Sequence, residues 1–375
     1  MSLFDTRHPG LSENRRRLSE LLHLDLPLLL GLVILAVTSL FVLYSASGQN
    51  MDMVWRQVVR LGIGFGILFA MAQLNPAPLK RWTPWLFGIG LALLVAVLVA
   101  GEIGKGAQRW LDLGLFRFQP SEVMKLAVPM MVAWYLSEHR LPPSARHITL
   151  ASVAIMAPTL LIAKQPDLGT ALLVGSAGIF VLLFAGIPWR LVAGLGTFSA
   201  ACAPVLWYFM HDYQRQRVLT LINPEHDPLG AGYHIIQSKI AIGSGGLYGK
   251  GWLNGTQSQL NFLPERSTDF IFAAFAEEYG FFGILLLLTV YLLIIMRGLF
   301  IAVQAQDTYT RLLAGSLTMT FFIYVFVNMG MVMGLLPVVG LPLPLISYGG
   351  TSMVTLMAGF GILMSIHTHR KLLPR

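Results

Sequence analysis

With 375 residues, 55% of them hydrophobic and 12% charged, the chain is far more apolar than a soluble domain, whose residues are about 45–50% apolar and about 25% charged. A net charge of +8 then points to anionic headgroups and phosphate-bearing lipids, and away from nucleic acid. The one cysteine, Cys202, excludes a disulfide framework, a zinc motif and a redox pair.

The apolar residues come as repeated tracts of about 20, which predicts an all-α polytopic membrane protein. Its parts are a basic tail over 1–25, a single membrane domain over 26–367 and a short basic tail over 368–375. Arg15-Arg16-Arg17 ahead of an apolar run resembles a secretory leader. That run is longer than a leader core and lacks a small-x-small cleavage site, so it reads as a first span. Ten spans are expected, at roughly 26–45, 54–73, 82–100, 119–138, 148–164, 168–187, 190–210, 269–296, 311–334 and 349–367. An even count puts both termini on one side, and the basic tails make that side cytoplasmic. Most acids then fall on the outer face, where any chemistry belongs. The cytoplasmic connections at 74–81 and 137–147 read as plain turns.

In the first outer region, Glu102 to Trp110 predicts a mobile or re-entrant loop. Its glycines are no phosphate-binding fingerprint, because no strand precedes them and no Lys-Ser/Thr follows. Pro120 opens a helix on which Glu122 and Lys125, three apart, share a face and can pair. Such a pair either joins two helices or serves a site. Asp167, after Lys164-Gln165-Pro166, is either a helix cap or a ligand contact.

The outer loop over 211–268 is long for a chain of this size and is expected to be functional. Tyr233 to Ile242 has the spacing of a short amphipathic helix lying on the surface. Gly243 to Gly251 reads either as tight turning or as a backbone nest for an anion. The loop closes on Leu263-Pro264-Glu265-Arg266-Ser267-Thr268-Asp269, which puts the Asp269 carboxylate where water meets membrane. Charge at that depth is costly and points to function, with a partner nearby. The alternative is that Ser267, Thr268 or Asp269 caps the next helix. Glu277 and Glu278, about 12 Å further along that helix, predict a partner in Lys125, Lys239 or Arg266. The Pro-rich stretch from Leu335 to Ser352 is expected to dip into the membrane, with Ser347 and Tyr348 at its polar end. Asn328 is expected to bond a neighbouring helix.

Five stretches carry a resemblance: Gly106-Ala107-Gln108-Arg109-Trp110; Gln119-Pro120-Ser121-Glu122 with Lys125; Gln165-Pro166-Asp167-Leu168-Gly169-Thr170; Leu263-Pro264-Glu265-Arg266 through Asp269-Phe270-Ile271-Phe272; and Pro344-Leu345-Ile346-Ser347-Tyr348-Gly349-Gly350. In that order, over nearly the whole chain, they resemble the SEDS family (shape, elongation, division and sporulation), bacterial polytopic peptidoglycan glycosyltransferases. The short tails, Arg266 after Pro-Glu, and Val339-Gly340-Leu341-Pro342 resemble its elongation branch more than its division branch.

The resemblance implies polymerisation of lipid II outside the bacterial inner membrane, with lipid II and the growing glycan as substrates. A class B penicillin-binding protein within the elongation machinery would be the crosslinking partner. Transfer onto the 4-hydroxyl of GlcNAc, with loss of an α-linked undecaprenyl pyrophosphate and gain of a β-1,4 bond, is inverting. It needs one base on the acceptor and a stabiliser for the leaving group. Asp269 matches the family's essential aspartate as that base, and Glu122 its helix acid, orienting Lys125. The leaving-group charge is left to Arg109, Lys125, Arg215, Lys239 and Arg266, with Lys125, Lys239 and Arg266 preferred. Asp167, Ser347 and Tyr348 complete the expected substrate contacts. No covalent cofactor is expected; a divalent cation, Mg or Mn, among Asp269 and Glu122 is the alternative counter-charge. A lipid II flippase and a scaffold for the crosslinking enzyme are the competing readings, and acids gathered on one face favour the enzyme.

Overall fold

The structure, a computed structural model, describes residues 22–369 except 105, 106, 113–116, 210, 211, 227–229, 261 and 264. Most of the predicted N-tail (1–21) and C-tail (370–375), with their basic clusters, lie outside the described residues.

Local sequence starts many of the helices. Asp25 caps α1 (Leu26–Ala46), its Oδ1 accepting from Leu28 N at 3.0 Å with Pro27 in the first turn. Asn50 caps α2 (Met51–Gln73), and Asn75 with Pro76 starts α3 (Pro76–Ala100). Three short antiparallel strands follow: β1 (Glu102–Gly104), β2 (Ala107–Asp112) and β3 (Arg117–Phe118), in spatial order β1-β2-β3. Much of the stretch expected as a mobile or re-entrant loop is thus strand, with Ile103 paired to Gln108 and Glu102 to Trp110.

Next come α4 (Pro120–Ser137), α5 (Ala145–Lys164), α6 (Leu168–Phe184) and α7 (Trp189–Phe209). The outer loop contributes α8 (Asp212–Ile222), α9 (Ala231–Gly245) and the single turn α10 (Thr256–Gln259). The chain ends in α11 (Ile271–Val303), α12 (Thr308–Val332) and α13 (Thr351–Thr368). Among the described residues, seven helices are long and apolar enough to cross a membrane: α1, α2, α3, α5, α11, α12 and α13. The predicted segments 119–138, 168–187 and 190–210 form α4, α6 and α7, which fall outside that set.

Helix α12 is the most enclosed, with 78% of its span buried against 22% for α2, α3 and α5. Small and hydroxyl side chains let its neighbours close in, as in membrane bundles generally. Ser316 donates to Ala177 O of α6 at 2.7 Å, and Gly315 and Gly298 leave room for Phe184 and Thr318. The outer helices turn Val37, Phe41, Ile63, Ile89 and Val153 outward, the side that lipid wets.

The apolar tract after Asp269 is not one straight helix. Gly280 breaks α11 with φ 63°, ψ −163°. A break leaves the last carbonyls of one half and the first amides of the next without intrahelical partners. The Gly-rich strap supplies them: Lys250 N and Gly251 N donate to Glu277 O and Glu278 O, each at 3.0 Å, while Phe281 N and Phe282 N donate to Gly246 O at 2.9 Å and Leu247 O at 3.1 Å. Side chains at Gly249 or Gly245 would run into the carbonyls of Glu278 or Ala276. The glycines therefore serve close backbone approach, the turning alternative of the two raised by the sequence. Helix α9 docks on the bundle instead of lying over it: Ile235, Ser238 and Ala241 are buried, and Ser238 donates to Val332 O at 2.8 Å.

The partners expected for the two glutamates are also corrected. Glu277, fully buried, takes Lys250 Nζ at 2.8 Å together with Thr256 Oγ1, Gln257 N and Ser258 N, so it caps α10 and ties the loop to α11. Glu278 accepts from Ser45 of α1. Neither meets Lys125, Lys239 or Arg266; the strap and α10, invisible as contacts in sequence, arrive first.

Candidate active site

The N-cap residue of α11 is Phe270, which carries no capping side chain, and Asp269 stands one position before it. A turn closed by Glu265, at φ 51°, leads into the helix, with Thr268 N and Phe270 N donating to Glu265 O. Asp269 is half-buried; its carbonyl accepts from Asn328 Nδ2 at 2.8 Å. Its Oδ2 stands beside the backbone of Gly340, 3.5 Å from where a Cβ would sit. The Pro-rich turn thus forms one wall of the Asp269 site.

The pair predicted on α4 forms: Lys125 Nζ lies 2.7 Å from Glu122 Oε1, both side chains buried. Thr355 and Ser352 of α13 donate to the same carboxylate at 2.9 and 3.3 Å. Lys125 Nζ also lies 5.3 Å from the centre of the Tyr324 ring on α12. The pair therefore joins α4, α12 and α13 beside a cavity of about 30 Å³, room for one water, lined by Lys125, Thr320, Tyr324, Thr355 and Gly359.

Three motif stretches form a second network. Arg109 on β2 donates to Gln165 O at 3.3 Å and to Pro166 O, while Gln119 Nε2 donates to Asp167 Oδ2 at 3.0 Å. Asp167 caps α6 through Thr170 N at 3.2 Å. In this structure the Arg109 and Asp167 side chains brace the outer turn.

The remaining cations do not gather at one point. Arg215 donates to Trp207 O and Tyr208 O at the end of α7, at 3.0 and 2.6 Å. Lys239 is exposed on α9 and lays its ammonium against Gly334, just beyond α12. Arg266 is half-buried beside the Gly48 turn, and burial pulls its guanidinium below the ordinary value. Its Nη1 is buried without a hydrogen-bond partner. Ser347 is buried, its hydroxyl donating to Thr268 O at 2.6 Å and accepting from Leu343 N at 2.8 Å.

Sequence reading passed over Arg60, Ser352 and Thr355. The Arg60 guanidinium lies 4.2 Å over the Tyr348 ring, beside Gly350. Its signal was present, a cation inside an expected span. Ser352 and Thr355 are three apart on one face of α13, a weaker sign. Asn328 was read as a helix-to-helix contact, whereas its amide reaches loop carbonyls.

A divalent cation does not fit at Glu122, because Lys125, Ser352 and Thr355 occupy its oxygens and a metal would have to displace an ammonium at 2.7 Å. Among the described residues no three His, Cys, Asp or Glu side chains gather into a cluster.

Apolar helices around an enclosed Glu–Lys pair, with an aspartate at the helix edge, define a polytopic membrane protein whose polar site opens at one end of the bundle. The chain belongs to the FtsW, RodA and SpoVE family, described as cell cycle protein, whose profile matches residues 18–372. It is 58% identical over 363 residues to the peptidoglycan glycosyltransferase MrdB of Escherichia coli K12, covering 96% of this chain and 98% of that one. Among solved structures it resembles a chain from a study of how a peptidoglycan synthase complex coordinates polymerization and crosslinking, with TM-score 0.80, 34% identity and 92% and 99% of the two chains covered. It also resembles the rod shape determining protein RodA of Thermus thermophilus, with TM-score 0.70, 30% identity and 92% and 98% covered.

Proposed function

We infer that the chain is a peptidoglycan glycosyltransferase of the elongation branch, polymerising lipid II on the outer face of the bacterial inner membrane. Family membership and 58% identity to an enzyme of that name support the activity. In this reading all ten long helices, α1 to α7 and α11 to α13, span the bilayer as one domain over 26–367. Both termini then lie in the cytoplasm, and Asp269 faces outward. The resemblance to a chain of a synthase complex supports a class B penicillin-binding protein as partner.

The reaction joins O4 of an acceptor GlcNAc to C1 of the lipid-linked glycan. The C1–O bond to pyrophosphate breaks with inversion, the hydroxyl proton passes to Asp269, and undecaprenyl pyrophosphate leaves with the electron pair. The observation that carries this is the setting of Asp269: a half-buried carboxylate where an apolar helix begins, with its carbonyl fixed by Asn328 and its Oδ2 beside the Gly340 backbone. Lys125 is neutralised by Glu122, so the pair acts as an oriented dipole and a brace. Arg60 and Arg266, for which no carboxylate lies within ion-pair distance among the described residues, are the better counter-charges for pyrophosphate.

The test is polymerisation of lipid II by the purified protein with its crosslinking partner, wild type against Asp269→Ala at matched folding. Long glycan from wild type and none from the mutant, with complex formation intact, supports the reading. Equal glycan from both moves the base elsewhere; none from either brings transport or scaffolding forward.

A further inference from the structure

Three consecutive carbonyls lead into α11, and each is held by a different group of the facing wall. Ser267 O accepts from the Tyr348 amide at 2.9 Å, Thr268 O from Ser347 Oγ at 2.6 Å and Asp269 O from Asn328 Nδ2 at 2.8 Å. Asn328, fully buried in α12, uses the same nitrogen to donate to Leu341 O at 2.7 Å. One planar NH2 group thus fastens the Asp269 backbone to the turn that carries Gly340, the residue beside the Asp269 carboxylate.

A helix start offered Ser, Thr and Asp would ordinarily use one of them as a cap. Here the N-cap position falls to Phe270, and Thr268 turns its hydroxyl to Glu265, reaching its Oε2 at 2.6 Å. The three carbonyls before Phe270 are held by groups of the facing wall. The energetic logic follows from the low-dielectric surroundings: a buried amide whose two hydrogens both have carbonyl acceptors is rigid, and removing it strands both carbonyls.

We propose that Asn328 is a positioning residue for the Asp269 carboxylate. Its amide sets the distance between Asp269 and the 340–341 turn, and so where the carboxylate meets the acceptor hydroxyl. The inference rests on Asp269 being the base. Asn328→Leu removes both donors; Asn328→Asp puts an oxygen opposite two carbonyl oxygens; Asn328→Gln keeps the donors on a longer arm. Misplacing a reacting group by an ångström costs about 10²-fold in rate.

The experiment is steady-state polymerisation of lipid II by the full chain in complex with its crosslinking partner, with thermal midpoints measured on the same samples. Expected are a kcat lower by about 10²-fold in Asn328→Leu and Asn328→Asp, an unchanged KM for lipid II, and partial recovery in Asn328→Gln. If the Asn328 variants fail to fold, Ser347→Ala removes the neighbouring tie to Thr268 O together with the acceptor of Leu343 N, and is expected to lower kcat per folded molecule by about tenfold with KM unchanged. Wild-type kcat per folded molecule in Asn328→Leu, or in Ser347→Ala where only that variant folds, overturns the inference, as does a loss confined to KM or to thermal stability. Asp269→Ala is run in parallel. Its inactivity beside a fully active Asn328→Leu overturns this inference alone, whereas glycan from Asp269→Ala overturns the base assignment and this inference with it.

Discussion

An aspartate lies toward each end of α11, and the two are held in opposite ways. Asp25, near the C-terminal end of α11, is buried with its carboxylate saturated: Leu28 N at 3.0 Å, Arg297 Nε and Nη2 at 3.0 and 2.6 Å, and His367 Nε2 at 3.3 Å. Its side chain does the fastening, joining α1, α11 and α13. Asp269, at the N-terminal end, has its carbonyl fastened by Asn328, and its half-buried carboxylate stands beside a glycine. The Asp25 carboxylate builds structure, its lone pairs taken by a cation and an amide. In the reading of Asp269 as base, a fixed backbone sets where the carboxylate meets the substrate.

The sharpest way to break this comparison is to neutralise each acid without changing its shape. Asp269→Asn is expected to lower kcat for glycan formation by about 10²–10⁴-fold while leaving the thermal midpoint nearly unchanged. Asp25→Asn should do the reverse, because it leaves the Arg297 guanidinium poorly compensated at a buried contact. The expected loss is about 3 kcal/mol of stability, seen as a lowered midpoint, with kcat per folded molecule retained. If both substitutions act on stability alone, Asp269 is structural like its counterpart.

A second test concerns how the Asp269 end of α11 is built. Gly280 breaks α11 in a conformation that side chains rarely adopt, and a Cβ there would meet Gly249 N and Leu247 O of the strap. Gly280→Ala is expected to cost about 1–3 kcal/mol in backbone strain and to loosen residues 246–251. Limited proteolysis checks this: faster cleavage in the strap is expected, with the Asp25 end as well protected as in wild type. Equal protection at both ends would mean that the break is not held by the strap.

These two regions also differ in how far they could be read from sequence. Length, the apolar tracts, the helix start at Pro120, the cap alternative for Asp167 and the Glu122–Lys125 spacing each depend on residues near one another in the chain, and the structure contains the corresponding helices, cap and ion pair. The break at Gly280 was hidden because its cause lies in a strap some 30 residues away, and neither segment alone signals it. For the same reason Glu277 and Glu278 were assigned the wrong partners: proximity along a helix was visible, but Lys250 and Ser45 came from elsewhere. The cation at Arg60 was legible by the rule that charge within a span has a purpose. The family resemblance drew attention to other motifs instead.

The smallest effect belongs to the end that carries Asp25, where the His23 and His369 rings stack with centroids 3.9 Å apart. Burial and the neighbouring His369 both lower the pKa of His23 from 6.5. The folded state therefore takes up this proton at lower pH than the unfolded chain does. Between those values the unfolded chain holds more protons, so the stability from this contact is complete above about pH 6.5 and declines as pH falls. The thermal midpoint is expected to drop between about pH 7.5 and about pH 5.5, and the drop should shrink in His369→Gln, which removes the repelling charge while keeping a polar side chain. An identical acid-side drop in wild type and His369→Gln would show that the stacked pair does not tune this end and that other groups titrate there.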